Sequence, residues 1–155
     1  MAISGTMGSG EEVSFSDAVV SIDLGDSGTY VAIPTWVTEV APSGGDTPTS
    51  ELPRLAGASL VGTGRKGART LTVTCVYTEE STGVFENVYD AYEAGTLDCD
   101  IKWTKKGATT GDFEFETVEG KLTSCTLPAV SASSSDPGTF SFTITTQSIL
   151  RNELA

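Results

Sequence analysis

The sequence predicts an all-β fold, a β sandwich or half-barrel of antiparallel strands with one packed α-helix. Several segments alternate apolar and polar residues, which is typical of antiparallel strands that bury one face. One segment has the spacing of an amphipathic helix. The length of 155 residues fits a single domain, 1–155, that is large enough to bury a core.

The first strands follow an N-terminal arm. Residues 1–16 are rich in Gly and Ser and are expected to form a mobile arm, with Val13 and Phe15 as anchors. Strands are then predicted over Asp17–Asp23, Tyr30–Val40 and Thr70–Thr78, which are rich in β-branched and aromatic residues. In the third of these, one face carries Leu71, Val73, Cys75 and Tyr77.

A helix is predicted from about Thr82 to Ala94. Its apolar residues recur at helical spacing and form one stripe, made of Val84, Phe85, Val88, Tyr89 and Tyr92. Ser81 or Thr82 is expected to cap its first turn. Gly95 follows as the residue that ends the helix in a left-handed conformation.

After the helix the period of the pattern returns to two. Leu97–Trp103 and Phe113–Glu116 flank the turn KKGATTG and are predicted to form a hairpin. A strand with a bulge at Gly120 is predicted over Val118–Leu127. The last strand is predicted over Thr139–Ile149, after a Ser-rich loop, and it leads into the C-terminal segment 147–155.

The most informative segment is a long arm between two strands, residues 41–69. It fits neither helix nor strand, although structureless loops beyond about 12–15 residues are rare in compact domains. Pure disorder is not expected, because the arm contains Leu52, Leu55, Leu60 and Val61. It also holds four of the nine basic residues, Arg54, Arg65, Lys66 and Arg69. A basic, partly apolar arm on an acidic body indicates docking on another copy of that body.

The charge of the chain excludes several classes of function. Acidic residues outnumber basic ones 21 to 9, the net charge is −12 and there is no histidine. A protein that grips duplex DNA needs a basic face, and a His-based catalytic triad needs histidine. An acidic surface past which DNA slides remains compatible with this balance. No apolar run approaches the roughly 20 residues of a membrane helix, so no membrane contact is expected.

The three cysteines, Cys75, Cys99 and Cys125, lie far apart within predicted strands. Metal sites use closely spaced pairs of cysteines, and none is present. We therefore expect buried free thiols in a reducing compartment.

Other motifs favour structural interpretations over chemical ones. The pattern Gly62-x-Gly64-x-x-Gly67 precedes a strand, whereas a dinucleotide fingerprint follows one, so we interpret it as a flexible hinge. Trp36 and Trp103 would indicate sugar binding if exposed, but core or interface anchors are more common. We predict no catalytic residue, metal or cofactor.

Four acidic residues, Asp98, Asp100, Glu114 and Glu116, are predicted to share one face of the hairpin. Paired carboxylates hydrolyse glycosides in some enzymes and bind Ca²⁺ in other proteins. Alternation alone predicts a solvated acidic face, which is the interpretation we favour. Lys102 on the same face would partly cancel its charge.

Six segments in a fixed order carry a resemblance to a known family. They are TWVTEV, the arm APSGGDTP…LPRLAG, GARTLTVTCVY, VFENVYDAYEAGT with LDCDIKWTKKG, FEFETVEGKLTSCTLP and DPGTFSFTITT. In this order they resemble the tail tube (major tail) proteins of long-tailed bacteriophages, over nearly the whole chain. Those proteins are similar in fold to the inner-tube proteins of contractile injection devices.

The resemblance implies a structural protein of the virion tail, assembled in the host cytoplasm, and not an enzyme. Subunits would form six-fold rings by extending an inner sheet, and rings would stack into a hollow tube that passes DNA without specific binding. The arm would reach the next ring through Arg54, Leu55, Leu60, Arg65, Lys66 and Arg69. The four acidic hairpin residues are the candidate lumen face. Terminal segments would order on assembly, and the other partners would be tape-measure, tail initiator and tail terminator proteins.

Two alternatives remain open from the residues alone. One is a β-sandwich binding module, such as a carbohydrate-binding or Ca²⁺-dependent adhesin-like domain, which would use the acidic face and the tryptophans. The other is a hydrolase with paired carboxylates. The hydrolase is the weaker alternative, because the sequence shows nothing that would raise the pKa of a carboxyl group as general-acid catalysis requires.

Overall fold

The structure, a computed structural model, describes residues 13–33, 36–133 and 135–155. Its elements in chain order are β1 Val19–Leu24, β2 Val31–Ala32, β3 Val37–Gly44, β4 Thr49–Leu52, β5 Leu60–Thr63, β6 Arg69–Val76, α1 Val84–Glu93, β7 Cys99–Thr104, β8 Phe113–Val118, β9 Lys121–Cys125, β10 Thr139–Thr146 and β11 Ser148–Glu153. The predicted class, antiparallel β-sheets with one helix, is confirmed.

Two antiparallel sheets form the body of the molecule. The first sheet has the strand order β11-β8-β7-β1-β2, and the second has the order β3-β6-β10-β9. The strands β4 and β5 pair only with each other. Successive side chains of a strand point to opposite faces of the sheet, so every second residue of each strand faces the core.

The core lies between the two sheets and under the helix. The first sheet buries Val20, Ile22, Cys99 and Ile101, and the second buries Leu71, Val73, Cys75, Leu122, Phe140, Phe142 and Ile144. The helix adds Phe85, whose ring contacts those of Tyr77 and Phe140 edge to face at centroid distances of 4.9 and 5.0 Å. The prediction that one face of Thr70–Thr78 is apolar is therefore confirmed for Leu71, Val73 and Cys75, which are buried in the core. Tyr77 follows the strand and is half-buried.

The helix is confirmed with small differences at its ends. It runs over Val84–Glu93, and Gly95 follows with a φ of 78°, as predicted for its C-terminal end. The predicted cap is wrong, because Gly83 is the N-cap and no side chain caps the first turn. Asn87 instead donates a hydrogen bond from its side chain to the carbonyl of Gly83 at 2.8 Å.

Three of the predicted strands each divide between the two sheets. Tyr30–Val40 contains β2 of the first sheet and β3 of the second, and its residues 34–35 lie outside the described residues. Val118–Leu127 and Thr139–Ile149 divide in the same way. Thr146, at the end of β10, links the second sheet to the end of β8 in the first. Its buried hydroxyl accepts a hydrogen bond from the Val118 N–H at 3.0 Å and donates one to the Val118 carbonyl.

The N-terminal arm lies mostly outside the described residues, and the C-terminal segment forms a strand. Residues 1–12 of the predicted arm 1–16 lie outside the described residues. Phe15, predicted as an anchor, packs edge to face on Phe115 at 6.3 Å between centroids. Segment 147–155 was expected to order only on assembly, but Ser148–Glu153 is already an edge strand that pairs with β8. Across the described ranges, no helix combines the length and apolar character of a membrane span.

Candidate assembly surfaces

The arm between β3 and β6 is a projecting β-hairpin. Its strands pair from Thr49 with Thr63 to Leu52 with Leu60, so the prediction that residues 41–69 have no regular structure is wrong. Residues 41–44 belong to β3 and Arg69 begins β6, which leaves residues 45–68 as the projecting hairpin. The sequence does not predict these strands, because each has only four residues. Neither strand has a buried face, so neither shows an alternation of apolar and polar residues.

The projecting hairpin is covered by nothing else in the described chain. All of its residues from 46 to 68 are exposed except Ser59, which is half-buried. Its large apolar side chains have exposed fractions of 63% for Leu52, 50% for Leu60 and 70% for Val61, while Leu55 is fully exposed. Leu52 and Leu60 are register partners on one face of the hairpin, and Val61 lies on the other face. Large apolar side chains exposed in this way indicate an interaction surface in a folded protein.

The basic residues of the predicted stacking set fall into two groups. Arg65 and Lys66 are exposed, and no acidic group of the described residues lies within ion-pair distance of them. Arg54 likewise has no acidic group of the described residues within ion-pair distance, but its Nε donates to the carbonyl of Ala58 at 2.7 Å and shapes the hairpin tip. Arg69 is half-buried in β6 beside Gly45, so it supports the hairpin base.

The glycines of the Gly62-x-Gly64-x-x-Gly67 motif pair with the opposite side of the hairpin, so the prediction of a flexible hinge is wrong. The N–H groups of Gly64 and Gly67 donate to the carbonyls of Pro48 and Asp46 at 2.8 and 2.9 Å. A Cβ on Gly64 would lie 2.9 Å from the Pro48 ring, so the two strands approach closely here. The base of the hairpin is therefore held by backbone hydrogen bonds that continue from the body.

The sheet margins form a second candidate assembly surface. In the first sheet β11 and β2 occupy the edges, and in the second β3 and β9 do so. An edge strand presents backbone N–H and C=O groups that can pair with another chain. The β11 edge also exposes Leu150 at 45%.

Three of the four predicted acidic residues share one face of the first sheet. Glu114 and Glu116 lie opposite Thr104 and Lys102 in the register, and Asp100 lies two residues before Lys102. Asp98 is the exception, because it precedes β7 and its carboxylate forms an ion pair with Lys121. The face therefore carries fewer free carboxylates than expected.

Tyr30, which the sequence pattern does not single out, also lies at this acidic face. The hydroxyl of Tyr30 donates to Glu116 Oε1 at 2.9 Å, and Lys102 Nζ lies 4.4 Å from the centroid of the Tyr30 ring. Burial, together with the hydrogen bond to Glu116 and the nearby acidic charges, raises the pKa of Tyr30. The tyrosine stays neutral at physiological pH and Lys102 offsets part of the acidic charge.

Two of the carboxylates on this face have structural roles. Asp100 Oδ1 accepts from the Thr117 hydroxyl at 2.7 Å and from the Gly120 N–H at 2.9 Å. Its register partner Asp23 was not identified from the sequence, and it is buried. The hydrogen bonds from Ser27 and Gly28 outweigh burial and lower the pKa of Asp23. A signal in the sequence was available, since Asp at a strand end before Gly and Ser is typical of a turn.

The remaining candidates are placed in or against the core. Trp36 and Trp103 are half-buried and pack against the core, and Trp103 stacks on Phe115 at 5.5 Å between centroids, as expected for core anchors. The carboxyl groups with a shifted pKa in the described residues, Asp23 and Asp112, are both lowered, whereas a general acid needs the opposite shift. Within the described ranges, no cluster of His, Cys, Asp or Glu is placed to hold a metal ion.

The cysteines are free. Cys75 and Cys99 are buried, and Cys125 is half-buried. Burial raises the pKa of the Cys75 thiol to about 12, and burial with nearby acidic charge raises that of Cys99 to about 12. Such thiols are protonated and unreactive at neutral pH.

Comparison with solved structures identifies the fold. The chain is similar to one in the extended sheath–tube complex of an extracellular contractile injection system, with 18% identity and a TM-score of 0.66 over 92% of this chain and 93% of that chain. It is also similar to one in the sheath/tube terminator of such a system, with 18% identity and a TM-score of 0.69 over 94% and 99% of the two chains.

A third neighbour comes from a gene transfer agent particle. It belongs to the tail of an empty gene transfer agent particle refined with C6 symmetry, with 13% identity and a TM-score of 0.59 over 90% and 96% of the two chains. No protein-family model and no curated protein matches the sequence. The fold is therefore that of tail tube proteins, as the resemblance implied.

Proposed function

We propose that this chain is a structural subunit that self-assembles into stacked, hexameric rings and forms the hollow tail tube of a phage-like particle. The observation that carries the proposal is the projecting hairpin, residues 45–68, whose apolar side chains have no cover within the described chain. A hairpin that leaves the body and contacts a different surface of another copy makes a heterologous contact, which propagates into rings or filaments.

The sheet margins support ring formation. The edge strands β11 and β2 lie on opposite sides of the first sheet, so one copy's β11 edge and the next copy's β2 edge are available to pair. Such pairing would satisfy the backbone groups of both edges and continue the sheet around a ring. The C6 symmetry of the gene transfer agent tail, a structure of the same fold, favours six copies.

The acidic face supports a passage for DNA. Asp100, Glu114 and Glu116 lie on the face of the first sheet that points away from the core. If the ring turns this face inward, the wall repels phosphates, and DNA moves past without being held. Lys102 weakens the repulsion locally, and its Nζ lies 4.4 Å from the centroid of the Tyr30 ring.

The proposed partners follow from the role of a tube. We expect a tape-measure protein inside the tube, and tail initiator and terminator proteins at its two ends, in a virion tail assembled in the host cytoplasm. The neighbouring structures include a chain of a sheath/tube terminator and one of a baseplate, both of this fold.

Electron microscopy of the purified protein over a range of concentrations tests the proposal. We expect rings and then tubes of uniform diameter as the concentration rises, with or without an added tail initiator. A comparison variant replaces residues 46–67 by a short Gly-Ser link. Its body should fold and form rings, but those rings should not stack into tubes. A wild-type protein that stays monomeric at every concentration, with the initiator present, would overturn the proposal.

A further inference from the structure

We infer that the surface which receives the projecting hairpin lies at the opposite end of the next copy and is formed by residues 77–83, 126–133 and 135–138. We call this the far-end surface, and its exposed residues include Glu79, Glu80, Leu127 and Val130. The inference rests on the proposed function and specifies the contact between stacked copies.

The connectivity places the two surfaces at opposite ends of the same strand. The hairpin enters β6 at Arg69, and loop 77–83 leaves β6 after Val76. Residues 126–133 and 135–138 reach the same end, because the N–H of Tyr77 donates to the carbonyl of Gly138 at 2.9 Å and the N–H of Thr126 donates to that of Ser141 at 2.8 Å. Copies that stack in one direction along this strand therefore bring the hairpin of one onto the far-end surface of the other.

Both surfaces expose large apolar side chains. The hairpin exposes Leu52, Leu55, Leu60 and Val61, while the far-end surface exposes 65% of Leu127 and all of Val130. Burying apolar area at about 25 cal/mol per Å² favours a contact between these patches. At a rise of about 3.3 Å per residue, the 4 residues of β4, Thr49–Leu52, extend over roughly 13 Å and carry the apolar side chains beyond the hairpin base.

The charges of the two surfaces are complementary. Arg65 and Lys66 lie near the hairpin base, where the bodies of two stacked copies would meet. Glu79 and Glu80 are exposed at the far end. No basic group of the described residues lies within ion-pair distance of Glu79 or Glu80.

The body around the hairpin base is itself acidic. Asp26 and Glu119 lie in a cleft with Ala68, the last residue of the hairpin. The stacked contact therefore brings together two acidic ends, which repel each other unless basic groups lie between them. Arg65 and Lys66 supply that positive charge, so stacking depends on them and on the acids that they meet.

A charge exchange tests this inference. The variants are R65E/K66E in the hairpin, E79K/E80K at the far end, and the combination of all four. Each pair alone should raise the protein concentration needed for tubes by roughly tenfold or more, and the combination should restore tubes close to the wild-type concentration. A matched control, D90K/E93K, makes the same change of charge on exposed helix residues and should leave stacking intact.

The outcomes separate this inference from the proposed function. Wild-type tubes together with normal tubes from E79K/E80K would overturn the far-end surface and leave the tube proposal standing. Failure of the combined variant to restore tubes, while circular dichroism shows all variants folded, would also overturn it. A wild-type protein without rings or tubes would instead refute the proposed function itself.

Discussion

The backbone at Gly120 lies against the carbonyl oxygen of Cys99, so close that a Cβ on Gly120 would stand 2.2 Å from that oxygen. The N–H of Cys99 donates to the carbonyl of Gly120 at 3.0 Å, and the N–H of Gly120 donates to Asp100 Oδ1 at 2.9 Å. This contact joins the first sheet to the start of β9 in the second. The position predicted as a bulge is thus the point where the chain changes sheets.

We expect Gly120→Ala to lower the free energy of unfolding by about 2–3 kcal/mol, because the methyl group meets backbone that has no room to move. Urea denaturation measures the effect. Gly138→Ala is the control, since its Cβ would lie at an ordinary 3.8 Å from Tyr77, and its stability should stay within about 0.5 kcal/mol of wild type. Equal stabilities for the two variants would contradict the close approach.

Asp23→Asn should make stability less dependent on acidic pH. The folded-state pKa of Asp23 is lowered from its ordinary value of 3.8, so its stabilising contribution is fully present above that value and is lost as the pH falls through the lower one. At pH 7 the variant should lose about 1 kcal/mol, because the hydrogen bond from Gly28 to Oδ2 is lost. Denaturation at a series of pH values should show the gap from wild type closing below the ordinary pKa. A gap that stays constant down to the lowest pH would refute this.

The apolar side chains of the hairpin should contribute to assembly and not to folding. Leu55→Ser with Val61→Thr should change the free energy of unfolding of the monomer by less than about 0.5 kcal/mol, because both side chains are exposed. The same variant should form rings that do not stack, as seen by electron microscopy and sedimentation. Thr49→Ser, in the same hairpin, is the control. Normal tubes from the double variant would exclude an apolar contact by the hairpin.

The cysteines should differ in reactivity. A thiol with a pKa near 12 has almost no thiolate at pH 7.5, so Cys75 and Cys99 should not react with Ellman's reagent in the folded protein. Cys125 is half-buried, its pKa is raised by burial, and we expect it to react slowly. Cys125→Ser should therefore show no reactive thiol until guanidinium chloride unfolds it. Rapid labelling of folded Cys125→Ser would contradict the burial of the other two.

Because Arg65 and Lys66 are proposed to hold stacked copies together, tube formation should depend on ionic strength. Contacts between exposed charges weaken as salt shortens the Debye length to about 3 Å at 1 M. We expect the concentration needed for tubes to rise with added NaCl in wild type. In R65E/K66E it should fall instead, because the new glutamates face Glu79 and Glu80 and salt screens the resulting repulsion. Light scattering measures both curves, and a wild-type curve independent of salt would exclude an electrostatic contribution.

The sequence by itself determined the elements whose signal is local. The alternation of Leu71, Val73 and Cys75 identified a strand with one buried face, the apolar stripe identified the helix, and Gly95 marked its end. These patterns are imposed by the period of the backbone and by the need to bury one face, so nearby residues are sufficient to read them.

Only the tertiary structure decided where strands change sheets and which side chains meet. A period of two continues through a crossover, so the pattern across Val118–Leu127 cannot show that the chain leaves one sheet at Gly120 and enters the other. The hydrogen bond between Tyr30 and Glu116 joins residues 86 apart, and the register that makes it is set by packing over the whole sheet. The hairpin has no buried face in the described chain, so no pattern marked its strands, and its backbone pairing alone defines them.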